Sequence, residues 1–331
     1  MQSISIESEI GLFLNGLIAD VQQESKKIEA TFLNLGCNFY IGKSVPHSDL
    51  IESAFLNSHR GSGEINIYLS TDTDSFKLSS SKFLRVIQDL HPTINRFGGY
   101  RFSADPSGNF LYFYSRAQKI GGVWISPSVS EVPEMLITPF RTLISWILEE
   151  VGGVILHASS FTLNGKSILL AGPSGSGKST IAFEALSQSE NVICDDAIAL
   201  TSAGCFPIYS KMKMKSHLDL IEISGSQLTC EQVGSKSVIN LTQISSFQQV
   251  GYLADFLLFP SLNSQSVFDE ISTGEAIKRI MADSFSETLG APLGALRLIN
   301  QALSKVRTMN WRLAPDPKLN WEKLKAQVSR T

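Results

Sequence analysis

The chain has 331 residues, and at about 150 residues per domain this allows two domains and at least one sizeable core. Lys and Arg total 28 against 31 Asp and Glu, a formal balance of -3, which excludes a nucleic-acid binder that works through a global excess of basic charge. With 43% hydrophobic and 18% charged residues, global disorder is excluded as well.

Residues 8 to 25 put Ile10, Leu14, Leu17, Ile18 and Val21 on one helical stripe, which predicts an amphipathic helix packed on the strands after it. From about 29 to 128 the chain turns to strands. Ala30-Thr31-Phe32-Leu33, Cys37 to Ile41, Ile65 to Leu69, Tyr100-Arg101-Phe102 and Phe110 to Tyr114 are rich in β-branched and aromatic residues. Asp105-Pro106-Ser107-Gly108-Asn109 is a turn signal that predicts a hairpin between the last two, and Ser79 to Leu90 reads as a helix. Residues 1–130 therefore read as an N-terminal α+β domain without a chemical motif, free to serve substrate recognition.

Pro127, Pro133 and Pro139 punctuate the chain near residue 130, ahead of an apolar helix from about Phe140 to Glu150, and residues 131–331 form the second domain. Gly153 to Leu163 reads as one strand, Asn164-Gly165 as a type I′ hairpin turn, and Lys166 to Ala171 as the returning strand. Val192-Ile193-Cys194 and Phe256 to Pro260 are further apolar strands. Ser272 with Glu275 is a capping box for a helix carrying Ile277, Ile280, Met281 and Phe285. Helical stripes come next at Leu293 to Val306 and at Trp321 to Val328.

Cys37, Cys194, Cys205 and Cys230 contain no CxxC pair, neither a disulfide framework nor a zinc signature, and predict reduced thiols. Glu7 and Glu9 stand where a secretory signal needs basic residues. The most apolar stretch, Met135 to Leu148, is interrupted by Pro139 and Arg141 and falls short of the ~20 residues of a spanning helix. The expectation is a cytoplasmic chain with neither membrane nor nucleic acid as partner.

The chemistry is concentrated after residue 171. Gly172-Pro173-Ser174-Gly175-Ser176-Gly177-Lys178-Ser179, followed by Thr180, matches the P-loop pattern G-x-x-x-x-G-K-[ST]. Glycines let backbone N–H groups turn inward around phosphate oxygens, and a helix starting at Lys178 points its positive end at the same anion. Lys178 is expected on the β and γ phosphates of ATP and the Ser179 hydroxyl on Mg²⁺. Asp195 and Asp196 stand at the end of the next strand, at the carboxyl edge of an open sheet. Two adjacent carboxylates there suggest divided labour: Asp195 is expected as the base that accepts the proton of an attacking hydroxyl and Asp196 as the metal partner, with the two roles exchangeable.

Leu156-His157-Ala158-Ser159, the Asn164-Gly165 turn, the loop and Cys194-Asp195-Asp196, in that order and at short intervals, resemble the catalytic core of HPr kinase/phosphorylase and its related serine kinases. The resemblance covers about residues 140 to 315. It implies an α/β P-loop kinase core similar to phosphoenolpyruvate carboxykinase, and ATP- and Mg²⁺-dependent phosphoryl transfer to a serine of a peptide or protein. It also implies a role for His157 near the phosphates, beside the catalytic pair and Lys178. The family's Glu-Ile-Arg-Gly signature has no counterpart here, and the loop ends Lys178-Ser179-Thr180 in place of Lys-Ser-Glu. The resemblance thus points away from HPr itself, toward related kinases of ribosomally made peptides such as lasso-peptide precursors.

Tyr209 to His217 alternates with period two, so a strand would show Lys211, Lys213 and Lys215 on one face, either as a basic wall for the phosphates or an acidic substrate or as protection of an edge strand. Arg279, Arg297, Arg307 and Arg312 are candidates for a transition-state cation. A transport or switch ATPase would need a Leu-Ser-Gly-Gly-type signature, which is missing. A nucleotide-binding partner protein without catalysis, a small-molecule kinase and a homo-oligomer all stay open.

Overall fold

A computed structural model describes residues 6–23, 25–32, 35–45, 48–55, 63–71, 95–97, 99–104, 109–127, 136–215, 220–223, 226–244, 251–285 and 294–330. The expected helix at 79–90, the turn at residues 105–108, Pro133, and Ser216 and His217 lie outside them. The chain divides into two compact units, Met1–Glu52 with Asn57–Glu150 and Ser53–Leu56 with Val151–Thr331. The sequence suggested a boundary at 130; in the contact division it comes after Glu150.

The first unit has helix α1 (Ile6–Gln23), strands β1 (Ser25–Phe32) and β2 (Leu35–Gly42), and helix α2 (Ser48–Ala54) at its margin. Strands β3 (Ile65–Ser70), β4 (Asn95–Phe97), β5 (Tyr100–Ala104), β6 (Phe110–Ser115) and β7 (Ile120–Ile125) come next, then helix α3 (Arg141–Leu148). The strands form one mixed sheet in the order β1-β2-β3-β7-β6-β5-β4, with β2, β3 and β7 mutually parallel and β5-β6 antiparallel. The α1 stripe buries Phe13, Leu14, Leu17 and Val21 against Tyr68, Phe102, Leu111, Phe113 and Trp124. The α3 segment belongs to this unit because Phe140 stacks on Phe39 with ring centroids 6.0 Å apart and Arg101 pairs with Glu149 at 2.6 Å.

Strand β7 has no counterpart among the strands read from the sequence, and it carries Gly121-Gly122 in its interior, where glycine is unusual. The packing explains both glycines. A Cβ on Gly122 would run into the Phe113 ring and come within 2.7 Å of the Tyr68 carbonyl oxygen, and one on Gly121 would meet Leu143 at 3.0 Å.

The second unit is mixed α/β with parallel strands at the centre of its main sheet. Strands β8 (Val154–Leu156), β9 (Ala158–Leu163) and β10 (Lys166–Ala171) lead into helix α4 (Lys178–Ser187), followed by β11 (Val192–Cys194), β12 (Ile198–Thr201), β13 (Gly204–Pro207) and β14 (Lys211–Met214). Then come β15 (Leu220–Ile223), β16 (Ser226–Thr229), β17 (Glu231–Val233), β18 (Lys236–Asn240), β19 (Phe256–Leu262) and β20 (Val267–Glu270). Helices α5 (Thr273–Phe285) and α6 (Ala295–Leu303), strand β21 (Arg307–Leu313) and helix α7 (Pro317–Val328) complete it. The main sheet runs β11-β9-β10-β19-β21-β20, with β10, β19 and β21 parallel.

Both faces are covered at the centre of that sheet, where Ile168 to Ala171 of β10 and Phe256 to Phe259 of β19 are apolar and buried. Ile168 and Leu170 join Ile181, Ala185, Trp311 and Trp321 in one core, while Leu169 and Ala171 join Leu257, Phe259, Ile280 and Ile299 in the other. Asn164 (φ 52) and Gly165 (φ 75) both adopt the left-handed region, as a type I′ turn requires, and β9 pairs with β10 across them. The strand expected over residues 153–163 is in fact broken at His157. Before it, β8 pairs with β12 in a separate sheet; after it, β9 pairs with β10 and β11.

Candidate functional site

Parallel β10 and β19 bring their carboxyl ends to one edge of the main sheet, and antiparallel β9 brings its first residue to the same edge. Chain reversal does the rest: His157 just before β9, the glycine loop after β10 and Asp195-Asp196 after β11 meet there. Gly172 (φ 140), Gly175 (φ 83) and Gly177 (φ 104) hold left-handed backbone angles, and a Cβ on Gly177 would come within 2.7 Å of Leu313. That conformation and that proximity need glycine. Helix α4 begins at Lys178, as expected.

Ser176 is 7% exposed and its Oγ has no hydrogen-bond partner. A buried hydroxyl left unsatisfied costs about 1–3 kcal/mol, and a phosphate oxygen seated in the loop would satisfy it. Lys178 is buried, and its Nζ donates to the Gly172 carbonyl at 2.6 Å and the Pro173 carbonyl at 3.0 Å, curled over the seat.

The two aspartates have different surroundings. Asp195 is fully buried: Oδ1 accepts from the Ser159 hydroxyl at 2.5 Å and the Ser179 hydroxyl at 2.9 Å, and Oδ2 accepts from the Lys213 backbone N–H at 3.1 Å. Burial pushes its carboxyl above the usual range, and the adjacent Asp196 charge adds to this against the Ser159 and Lys213 hydrogen bonds. The Asp196 side chain is 14% exposed, accepts from Lys213 Nζ at 2.7 Å and lies 3.5 Å from His157 Nε2. Its φ of 73 is left-handed, a conformation uncommon outside glycine. The His157 backbone N–H donates to Ser284 Oγ on α5 at 3.0 Å.

Sequence reasoning did not find Ser159, and it did not foresee what Lys213 meets. Lys211 and Lys213 do share a face of β14, an edge strand of its sheet, but they form no exposed wall. Lys213 turns to the acid pair, Lys215 is exposed, and the Lys211 side chain is 3% exposed with Glu231 3.6 Å away. Burial pulls Lys211 below its ordinary 10.5, with Glu231 opposing. In the window just under 10.5 the unfolded chain therefore binds more protons than the folded one, and the stability of the wild type rises with pH there. Lys211→Met is expected to raise stability at neutral pH, because it removes the buried charge and leaves Glu231 half-exposed to water. The gap should narrow as pH approaches 10.5, measured as thermal midpoints of both proteins across pH.

Of the four candidate arginines, Arg279 stands beside the loop. Arg307 pairs with Glu270, Arg312 with Asp269, and Arg297 is exposed. Arg279, Ala282 and Asp283 on α5 line a cavity of about 540 Å³ together with Gly172 to Ser176 and Phe259 to Leu262. The four cysteines stay as thiols, joined by no disulfide; Cys37 and Cys205 are buried, and burial pushes both thiols up to about 12.

Among the described residues no three His, Cys, Asp or Glu side chains group as a metal cage. Mg²⁺ is commonly held by one or two carboxylates plus substrate phosphates; of the residues here, the Ser179 hydroxyl could meet the ion while it donates its proton to the buried Asp195. No helix of the described residues is long and apolar enough to cross a membrane. No family model matches the chain, and no curated protein matches it. The HPr(Ser) kinase/phosphatase from Coxiella burnetii is a solved structure to which this chain is similar with a TM-score of 0.26 and 11% identity, over 53% of this chain and 90% of that one.

Proposed function

We propose that this chain is an ATP- and Mg²⁺-dependent kinase that transfers the γ-phosphoryl group to a serine hydroxyl of a peptide or protein. The observation that carries the reading is the division of labour at the acid pair: Asp195 is sealed against Ser179 of the P-loop, and Asp196 beside it keeps an accessible carboxylate between His157 and Lys213. This favours the exchange of the roles expected from sequence. Both oxygens of Asp195 are occupied and out of reach of an acceptor, which suits a residue that orients Ser179 toward the metal. Asp196 is the one an incoming hydroxyl can meet.

In this reading Gly172 to Gly177 and Thr180 cradle the phosphates through backbone and hydroxyl groups, and Lys178 leaves the loop carbonyls to neutralise them. Mg²⁺ on Ser179 would offset charge on the phosphate oxygens. Asp196 takes the serine proton, the serine oxygen bonds to the γ-phosphorus, and the bond to the bridging oxygen breaks to release ADP. His157 and Lys213 fix the Asp196 carboxylate and face the transferring group.

The test is mass spectrometry of serine-containing peptides incubated with the protein, ATP and Mg²⁺. A phosphate on serine is expected. Nucleotide bound tightly with no phosphate moved to any peptide, protein or free serine would instead make this a nucleotide-binding partner, and ATP hydrolysis without transfer would make it a switch ATPase.

A further inference from the structure

The cavity beside the loop lies on the flank away from the acid pair. In the sheet order, β9 and β11 with His157, Asp195 and Asp196 stand on one side of β10, and β19 stands on the other. The cavity is walled by the first half of the loop, by Phe259 to Leu262 at the end of β19 and by Arg279, Ala282 and Asp283. Those last three sit at i, i+3 and i+4, so one face of α5 is turned to the loop. An adjoining face of the same helix buries Ala276, Ile277 and Ile280.

In-line phosphoryl transfer puts the attacking and leaving oxygens on opposite sides of the phosphorus. If Asp196 serves the attacking hydroxyl, the leaving oxygen and the nucleoside it carries must extend to the other flank. A cavity of about 540 Å³ there is of the size that holds a small ligand. Its wall offers apolar surface from Pro173, Phe259, Pro260 and Ala282 for a base. Arg279 is held rigid over the Phe259 ring, 5.5 Å from its centroid, by Glu275 at 2.8 Å and by Asn310. Asp283 is the one carboxylate among the described residues of the wall. Burial raises its carboxyl, and the charges of Lys178 and Arg279 act in the opposite direction.

We infer that this cavity is the nucleoside subsite and that Asp283 accepts hydrogen bonds from the ribose hydroxyls, making the protein selective for ribonucleotides. A carboxylate beside a triphosphate repels it, whereas paired with vicinal hydroxyls it binds the sugar, the arrangement by which an acidic residue reads ribose in dinucleotide folds. The inference rests on the proposed nucleotide binding at the loop and names the side and the sugar.

The experiment is a calorimetric titration of the full chain with Mg²⁺-ATP and with Mg²⁺-2′,3′-dideoxyATP, for wild type, Asp283→Asn and Asp283→Ala. Hydrogen bonds to a charged acceptor predict that wild type prefers ATP by about 10–100-fold. Both variants should lose most of that preference while keeping their affinity for the dideoxynucleotide. Equal binding of both nucleotides by wild type, or an undiminished preference in both variants, would overturn the inference and leave the loop reading intact. Absence of any nucleotide binding by wild type would overturn both. The isosteric asparagine guards against a folding defect in the alanine variant.

Discussion

Replacing Asp196 with asparagine is expected to slow phosphoryl transfer by about 10²–10⁴-fold, the usual loss when a general base is removed, and to leave Mg²⁺-dependent nucleotide binding within a few-fold of wild type. The asparagine keeps the shape of the side chain and an oxygen for Lys213 Nζ, which donates to Asp196 at 2.7 Å. What it loses is the capacity to take a proton. Single-turnover transfer at saturating ATP separates the two effects, since it reads the chemical step without the binding step. A loss confined to nucleotide affinity would mean that Asp196 holds the metal, as the sequence alone suggested.

The complementary substitution acts on binding. Asp195→Asn removes the charge that the Ser159 and Ser179 hydroxyls and the Lys213 amide all address, and its amide nitrogen cannot accept from any of them. If Asp195 orients Ser179 for the metal, the Mg²⁺-dependent gain in ATP affinity should fall by about 10–100-fold, the range seen when the groups supporting a metal ligand are altered. Transfer then falls with it, because the phosphates are no longer held in line. A calorimetric titration of ATP at fixed Mg²⁺ reads the first effect directly.

How far the site was legible in sequence depends on the range of the signals. The glycine loop, the Asn164-Gly165 turn, the Ser272 cap of α5 and the adjacent aspartates are local patterns whose cause lies within a few residues, and the structure shows each where the sequence put it. The Lys211 and Lys213 alternation was legible as a strand. Its purpose was not, because Lys213 meets Asp196 and Asp195 only through the fold. Asp283 carries no motif at all; its place beside the loop depends on α5 crossing the end of β19, a long-range fact. One omission and one misreading have the same origin. Gly121-Gly122 looks unlike a strand until the Phe113 ring and the Tyr68 carbonyl are seen to leave room for nothing larger. The segment from Val154 to Leu163 reads as one strand and hides the change of sheet at His157, whose side chain stands beside Asp196.

The separation of roles between two neighbouring aspartates is the centre of this account, and ATP titrations with and without Mg²⁺, on wild type, Asp195→Asn and Asp196→Asn, address it most directly. Mg²⁺ is expected to tighten ATP binding in wild type and in Asp196→Asn, and this gain is expected to be largely lost in Asp195→Asn. The gain lost in Asp196→Asn and kept in Asp195→Asn, or no nucleotide binding by wild type at all, would contradict it.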